Sequence, residues 1–284
     1  MEQLIWINGE IMPLADARIG VEDRGFQFSD GVYESLRLYN GKPFAIDRHL
    51  DRLRLSATGV DLELPVDVDE LHHEMMHLCE RSGLADGFLY LQLTRGSSPR
   101  NHLFPFNAKP TLLFYIRPLP PVGEIGSLPG QKLLSVVDDR WNRCWIKSTS
   151  LLANVLARNA AGRAGCDEAV FVQDGFVSEC SSSNLFAVVD HTLVTAPVGP
   201  RVLPGITRAV LLEIATAAGL PVEERPLAYA EAIAAPEVFL ASTTREVAWV
   251  GQWDGQPIGC GQCGPIARQL HHAFRECVAD ECGA

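Results

Sequence analysis

Trp141-Asn142-Arg143-Cys144-Trp145-Ile146-Lys147 is the stretch from which the rest of the chain is read. The protein has only four lysines, and Lys147 differs from the other three. Lys42 lies in Asn40-Gly41-Lys42-Pro43 and Lys109 in Asn107-Ala-Lys109-Pro110, both turn sequences, while Lys132 opens a strand after Pro129-Gly-Gln131. Lys147 follows Trp145 and Ile146 and precedes Ser148-Thr149 at the start of a helical pattern. An amine packed against such apolar neighbours loses hydration, which favours its neutral, nucleophilic form. That is the form a lysine needs to make an imine with a carbonyl.

Outward from Lys147, three segments supply what a lysine-bound aldehyde cofactor such as pyridoxal phosphate requires: a phosphate cradle and a carboxylate for the ring nitrogen. Leu203-Pro204-Gly205-Ile206-Thr207 opens a helix with a glycine and a hydroxyl, presenting backbone N–H groups to an anion. Ser242-Thr243-Thr244 follows a strand and adds hydroxyls and amides. Glu179 ends the hairpin strand Phe176-Val-Ser-Glu179, ahead of Cys180-Ser-Ser-Ser183-Asn184, and a carboxylate there suits a protonated pyridine nitrogen. Each segment alone is also an ordinary capped helix or turn; their order and company carry the reading.

Composition narrows the alternatives. The chain has 284 residues, 47% hydrophobic and 21% charged, as in ordinary globular proteins. A net charge of −11 argues against a dedicated nucleic-acid binder. No apolar run approaches the roughly 20 residues that cross a bilayer. The start, Met1-Glu-Gln-Leu-Ile-Trp6, lacks a basic region followed by a long apolar stretch, so a soluble, cytoplasmic protein is expected. The eight cysteines are scattered and read as free thiols. Cys260-Gly-Gln-Cys263, with Cys277 and Cys282 beyond it, could clamp zinc or form a redox pair, but its gaps fit no standard finger and a Gly-rich turn explains it more simply.

His73-Glu74-Met-Met-His77 matches the zinc-peptidase pattern, in which two imidazoles one helical turn apart hold a metal. No third ligand follows at the spacing of the extended pattern, and Met75 and Leu78 give the segment the apolar face of an amphipathic helix, so no metal site is expected. Neither a G-x-G-x-x-G after a strand, nor a P-loop, nor a G-x-S-x-G elbow is present.

The pattern of apolar residues gives an α/β chain in two domains: residues 1–120, a linker at 121–131 marked by Pro118-Leu-Pro-Pro121 and Gly130, and 132–284, which carries the lysine. Strands are expected at 4–7, 32–39, 88–94, 111–117, 133–138, 168–173, 185–189, 193–195 and 237–241. Turns are expected at Asn8-Gly9, Asn40-Gly41 and Asp174-Gly175. Apolar residues recur at helical spacing at Ile46, Leu50, Leu53, Ala57 and Val60, and again at Val68, Leu71, Met75 and Leu78. Further helices are expected near 149–163, 206–218 and 265–279.

With these residues in view, the sequence resembles the fold-type-IV pyridoxal phosphate enzymes, the class IV aminotransferases, and among them the D-amino acid aminotransferases. The likeness runs from Trp6-Ile-Asn-Gly9 through nearly the whole chain. Its specific stretches are Asp23-Arg-Gly-Phe-Gln-Phe-Ser-Asp-Gly-Val-Tyr-Glu34, Thr94-Arg-Gly-Ser-Ser-Pro-Arg-Asn-His102, Arg140 to Lys147, Glu179 to Asn184, Gly205-Ile-Thr-Arg208 and Ala241-Ser-Thr-Thr244. The resemblance implies that Lys147 binds pyridoxal 5′-phosphate through a Schiff base and shuttles the proton between the substrate Cα and the cofactor. It implies that Glu179 pairs with the pyridine nitrogen, and that Arg52 joins Ile206, Thr207 and Thr243 on the phosphate. Ser183, Leu203, Gly205 and Ser242 complete the expected cofactor contacts. Tyr33, Arg100 and His102 are the implied trap for the substrate carboxylate, with Arg100 and His102 reaching in from the neighbouring subunit of a homodimer. The implied activity moves an amino group from D-alanine to 2-oxoglutarate in a ping-pong cycle.

Two departures qualify the likeness. Ser29 stands where glycine is usual, and Arg37 in Tyr33-Glu-Ser35-Leu-Arg37 resembles the L-branched-chain aminotransferases instead. Residues 33, 35 and 37 share one strand face, so Ser35 and Arg37 join the expected substrate contacts. The alternatives are an L-branched-chain or (R)-amine transaminase, a lyase like aminodeoxychorismate lyase, and, from another class, a zinc protein built on the His73/His77 pair or the tail cysteines.

Overall fold

Alternation along residues 31–39 organises the N-terminal part of the protein. Val32, Glu34, Leu36 and Leu38 are fully buried on one face of the strand, while Tyr33 and Ser35 on the other are half-buried. In the computed structural model, which describes residues 3–283, the chain divides into two compact units. The first runs to Pro121 and includes Ile146–Ser150 and the residues from Val278 onward; the second comprises Val122–Trp145 and Leu151–Cys277.

The first unit contains β1 (Leu4–Ile7), β2 (Glu10–Pro13), α1 (Arg24–Phe28), β3 (Gly31–Tyr39), β4 (Lys42–Pro43), α2 (Ile46–Thr58), α3 (Val68–Ser82), β5 (Gly87–Thr94) and β6 (Thr111–Pro118). Its sheet has the order β2-β1-β6-β5-β3-β4. The central pairs are antiparallel, with Ser35 opposite Tyr90 and Tyr90 opposite Tyr115. The expected turns form: Asn8 and Gly9 adopt φ of 49° and 96°, and Asn40 and Gly41 adopt 48° and 78°. These left-handed values suit the right-handed twist of a two-residue hairpin and favour Asn-Gly. Helix α2 packs on β3, burying Leu50 and Leu53. Asp67 caps α3 by accepting from the Glu70 N–H at 2.7 Å.

The second unit contains β7 (Gln131–Val137), α4 (Leu152–Arg163), β8 (Glu168–Gln173), β9 (Phe176–Cys180), β10 (Asn184–Val189), β11 (Thr192–Thr195), α5 (Ile206–Ala217), β12 (Val222–Glu224), β13 (Leu227–Ala228), α6 (Tyr229–Ala234), β14 (Glu237–Ser242), β15 (Glu246–Trp253), β16 (Gln256–Pro257) and α7 (Pro265–Cys282), whose last turn belongs to the first unit. The sheet order is β12-β11-β10-β14-β15-β7-β8-β9-β13, with β16 paired to β15. Strands β15, β7 and β8 run parallel to one another, within an otherwise mostly antiparallel sheet. A core of Leu133, Val170, Leu185, Val194, Leu240 and Trp253 fills one region, and Ala157 and Ala161 of α4 pack on Ala169 and Phe171 in another.

Some elements differ from the sequence expectation. The helix expected near 149 begins at Leu152. Ser148 bridges to Val32, and Thr149 donates its N–H to Gly31 O at 3.0 Å, so these residues extend β3's ladder instead of a helix. Strand β15 carries no clean alternation and is interrupted at Gly251, where the register with β7 shifts between Val250 and Gln252. It is nevertheless a central strand, and the interruption explains why the apolar pattern does not mark it. Residues 121–131, read as a linker, include a 3₁₀ turn at Ile125–Ser127, and Trp249 Nε1 donates to Leu128 O at 3.0 Å. No helix among the described residues is long and apolar enough to cross a membrane.

Candidate active site

In the first unit, Lys147 is placed by backbone hydrogen bonds that hold it against β3. Its carbonyl accepts from the Tyr33 N–H at 2.9 Å, and its own N–H donates to Ser56 Oγ on α2 at 3.1 Å. The half-buried amine Nζ stands 4.3 Å from the centroid of the Tyr33 ring. The aromatic neighbour is thus supplied by a distant strand. Tyr33 in turn stacks on Tyr90 at 5.7 Å, and Tyr90 lies 5.4 Å from Tyr115, an aromatic row across β3, β5 and β6. Burial, with Tyr33 and Tyr115 alongside, pushes the Tyr90 phenol well above its usual range. Its hydroxyl stays protonated and donates to Gln92 Oε1 at 2.8 Å.

The opposite face of β3 carries a buried ionic cluster that the sequence did not reveal. Glu34 accepts two bonds from Arg52, Nε at 2.7 Å and Nη2 at 2.8 Å, while His49 Nδ1 lies 2.6 Å from the second carboxylate oxygen. Burial alone would raise the Glu34 carboxyl, but the charge of Arg52 and then His49, with their hydrogen bonds, hold it far below the usual range. Burial lowers His49, against the pull of Glu34 and helped by the charges of Arg52 and Lys147. The i, i+3 spacing of His49 and Arg52 on an otherwise apolar helix face was the available signal.

The remaining residues expected in the first unit fall into separate groups. Arg100 and His102, both exposed, converge on Phe28: the guanidinium lies 4.3 Å from the ring centroid and the imidazole 5.4 Å. Tyr33 is instead in contact with Lys147 and Tyr90. Ser35 shares the Tyr33 face of β3 and is half-buried. Arg37 is buried; its Nη2 donates to Pro120 O at 2.6 Å and lies 3.7 Å from Asp86, with the guanidinium 5.2 Å from the Tyr39 ring. Ser29, at the end of α1, has φ of 55°, the left-handed geometry for which glycine is the unstrained choice.

In the second unit Glu179 is gripped from both sides. Arg140 Nη1 donates to its Oε1 at 2.6 Å; the Leu203 N–H and Asn184 Nδ2 donate to Oε2 at 2.9 and 3.1 Å. Arg140 is itself fixed by two bonds to Asp138, Nε and Nη2 each at 2.9 Å, by one to Arg201 O, and by the Phe171 ring 4.0 Å below it. Burial would raise the Asp138 carboxyl, but Arg140 and then Ser178 lower it overall. Gly205 leaves the space that Asn184 occupies, since a Cβ there would collide with the amide oxygen. Arg140, Asp138 and Asn184 had no role in the sequence reading; their pairing depends on the approach of β7, β9 and β10.

The same unit carries the candidate anion cradle. Helix α5 begins at Gly205 with no side-chain cap, next to half-buried Ile206 and buried Thr207, and packs against β14. At the end of β14, Ser242 pairs with Glu246 across a tight turn that carries half-buried Thr243. Asn184 pairs with Ala241, one residue before that turn. Ser183, buried, lies in the β9–β10 corner. Its neighbours Ser181 and Ser182 donate to the fully buried Glu168, the latter at 2.7 Å. An uncapped helix start beside two hydroxyls is a donor set for a phosphate monoester. A carboxylate fixed by three donors suits a protonated pyridine nitrogen, and an accessible amine suits an aldehyde. The residues present therefore fit pyridoxal 5′-phosphate.

The zinc-like sequence is part of α3. His73 and His77 are exposed, and Glu74 accepts from Trp6 Nε1 at 2.9 Å. Among the described residues no group of three His, Cys, Asp or Glu side chains could hold a metal.

Two α/β units with these sites define an enzyme class, and comparison identifies it. Residues 31–253 match the amino-transferase class IV family, and the chain belongs to that family. It is 39% identical over 282 residues to the D-alanine aminotransferase of Listeria monocytogenes serotype 1/2a (strain 10403S), covering 98% of this chain and 97% of that one. It is 37% identical to the D-alanine aminotransferase of Bacillus licheniformis over 98% of both chains. Among solved structures, the branched-chain amino acid aminotransferase from Escherichia coli superposes with a TM-score of 0.88 at 26% identity, over 97% of this chain and 94% of that one. The T.th. branched-chain amino acid aminotransferase with pyridoxamine 5′-phosphate gives 0.90 at the same identity and coverage.

Proposed function

We propose that this aminotransferase uses pyridoxal 5′-phosphate and moves the amino group of a D-amino acid, D-alanine, to a 2-oxo acid, 2-oxoglutarate, by a ping-pong mechanism. The carrying observation is the full-length likeness to D-alanine aminotransferases at 39% identity, against 26% to the branched-chain structures.

When bound, the cofactor supplies an aldehyde that condenses with amines and a ring that draws electron density from the substrate Cα. Lys147 Nζ takes the Cα proton and returns it, its direction limited by the Tyr33 ring. Glu179 holds the proton at the ring nitrogen; Arg140 and the Leu203 N–H keep its carboxylate aimed. Gly205, Ile206, Thr207, Ser242 and Thr243 take the phosphate, with Arg52 and Ser183 as further contacts. Tyr33, Arg100 and His102 hold the substrate carboxylate, which decides the face of Cα that Lys147 meets.

Within one chain Arg100 and His102 gather on Phe28, in a loop that exposes Leu103, Phe104 and Phe106. An exposed apolar loop beside these two substrate-binding side chains supports their service to the site of a second copy, in a homodimer. Arg37, the residue that resembles the branched-chain pattern, is engaged by Pro120 and Asp86, which favours the D-amino acid reading over the L-branched-chain one.

The test is an absorbance spectrum of the purified protein before and after D-alanine and, separately, L-leucine. A visible band bleached by D-alanine alone is expected, and Lys147→Ala should lose both the band and turnover. Bleaching by L-leucine alone would move the assignment to the branched-chain group. No visible band after adding pyridoxal 5′-phosphate would overturn the cofactor reading.

A further inference from the structure

Glu246 combines two features that oppose each other. Its backbone has φ of 57°, the left-handed region where glycine is unstrained and a longer side chain is not. Its side chain is nevertheless wholly buried, which a carboxylate tolerates only with partners of opposite charge. The cation comes from α7: Arg275 Nη1 donates to Oε1 at 2.9 Å, and the buried His271 ring lies alongside, its Nε2 3.2 Å from Oε2. A glycine would close this turn with less strain, so the carboxylate's attachment to α7 is what the position secures.

The turn it closes is the one bearing Ser242 and Thr243. Ser242 pairs directly with Glu246, and Ser242 Oγ accepts from the Arg245 N–H at 3.3 Å. On its other side Arg245 is held by a second buried carboxylate, Nη2 reaching Glu168 Oε2 at 3.2 Å. The turn is therefore pinned at both shoulders, by Glu168 through Arg245 and by Glu246 through the terminal helix.

We infer that Glu246 is a positioning residue for phosphate recognition: by anchoring the turn's left-handed corner to His271 and Arg275 of α7, it sets Ser242 and Thr243 in place for the phosphate of the cofactor. The inference rests on the proposal that this turn binds that phosphate.

The test compares binding of pyridoxal 5′-phosphate and of pyridoxal, which lacks the phosphate, to the full-length protein stripped of cofactor. The variants are Glu246→Gln, Thr243→Ala, Arg275→Gln and Arg275→Lys. Arg275 is 37% exposed, so its variants probe the same anchor if Glu246→Gln does not fold. Expected are a loss of about tenfold or more in affinity for the phosphate ester in Glu246→Gln and Arg275→Gln, unchanged pyridoxal affinity, and recovery in Arg275→Lys. If Thr243→Ala weakens the ester alone while the Glu246 and Arg275 variants bind as wild type, or lose both ligands equally, the positioning role is overturned and the phosphate assignment stands. If Thr243→Ala binds both ligands as wild type does, the phosphate assignment fails and this inference with it.

Discussion

Arg140 Nη1 lies 2.6 Å from Glu179 Oε1, so the carboxylate expected at the cofactor's ring nitrogen is itself one arm of a buried charge cluster with Asp138. Glu179 and Arg140 are 8% and 4% exposed at their side chains. Arg140→Met leaves two buried carboxylates without their shared cation. Breaking such a pair from one side costs about 3–5 kcal/mol. We expect urea unfolding to show a loss of that size. A loss under about 1 kcal/mol, the range of exposed pairs, would mean the cluster is solvated in solution.

Arg100 is exposed and touches Phe28, so its removal should spare the fold. Arg100→Ala is expected to raise KM for D-alanine about thirtyfold, the equivalent of roughly 2 kcal/mol for one charge-assisted contact. The visible absorbance should persist. Unchanged KM with lowered kcat would show that Arg100 acts elsewhere in the cycle.

Acid should weaken the protein in two stages. His49 has its proton affinity lowered on folding, chiefly by burial. The folded state therefore binds fewer protons than the unfolded chain below the usual value of 6.5, and stability falls as the pH drops from there. Glu34 is also lowered on folding, so its contribution is intact above the usual 4.5 and is lost only at more acid pH. His49→Asn should flatten the dependence of Tm on pH between about 6.5 and 5 and leave the more acid decline. An unaltered slope in the variant would assign the first stage to another group.

All eight cysteines are free, and their environments differ. Burial, with Glu80 nearby, pushes the Cys79 thiol up to about 12. Cys144 and Cys282 rise to about 11, also chiefly through burial. Cys260 is exposed, whereas Cys263 is buried. A thiol reagent at pH 8 should therefore show one fast phase that disappears in Cys260→Ser, because the thiolate is the reacting form. A fast phase that survives would point to the half-buried Cys166 or Cys277.

Much was legible in the sequence because it depends on neighbours along the chain. The turns at Asn8-Gly9, Asn40-Gly41 and Asp174-Gly175 follow from the left-handed conformations these residues accept. The strand faces of residues 31–39 follow from a period of two, and α2, α3 and α5 from apolar spacing near 3.6. Lys147 stood out because lysines are so few, and Glu179 and the Gly205 helix start because short local signals marked them.

Other features exist only once distant segments meet. The aromatic ring against Lys147 comes from Tyr33, because Ser148 and Thr149 continue the β3 ladder where the sequence pattern suggested a helix. Arg140 and Asn184 converge on Glu179 only when β7, β9 and β10 approach, and Glu34, His49 and Arg52 only when α2 lies on β3. Local sequence thus determined the elements and the chemical types available. Burial and charge pairing, which depend on what packs against each side chain, decided which carboxylates stay ionised and where they point.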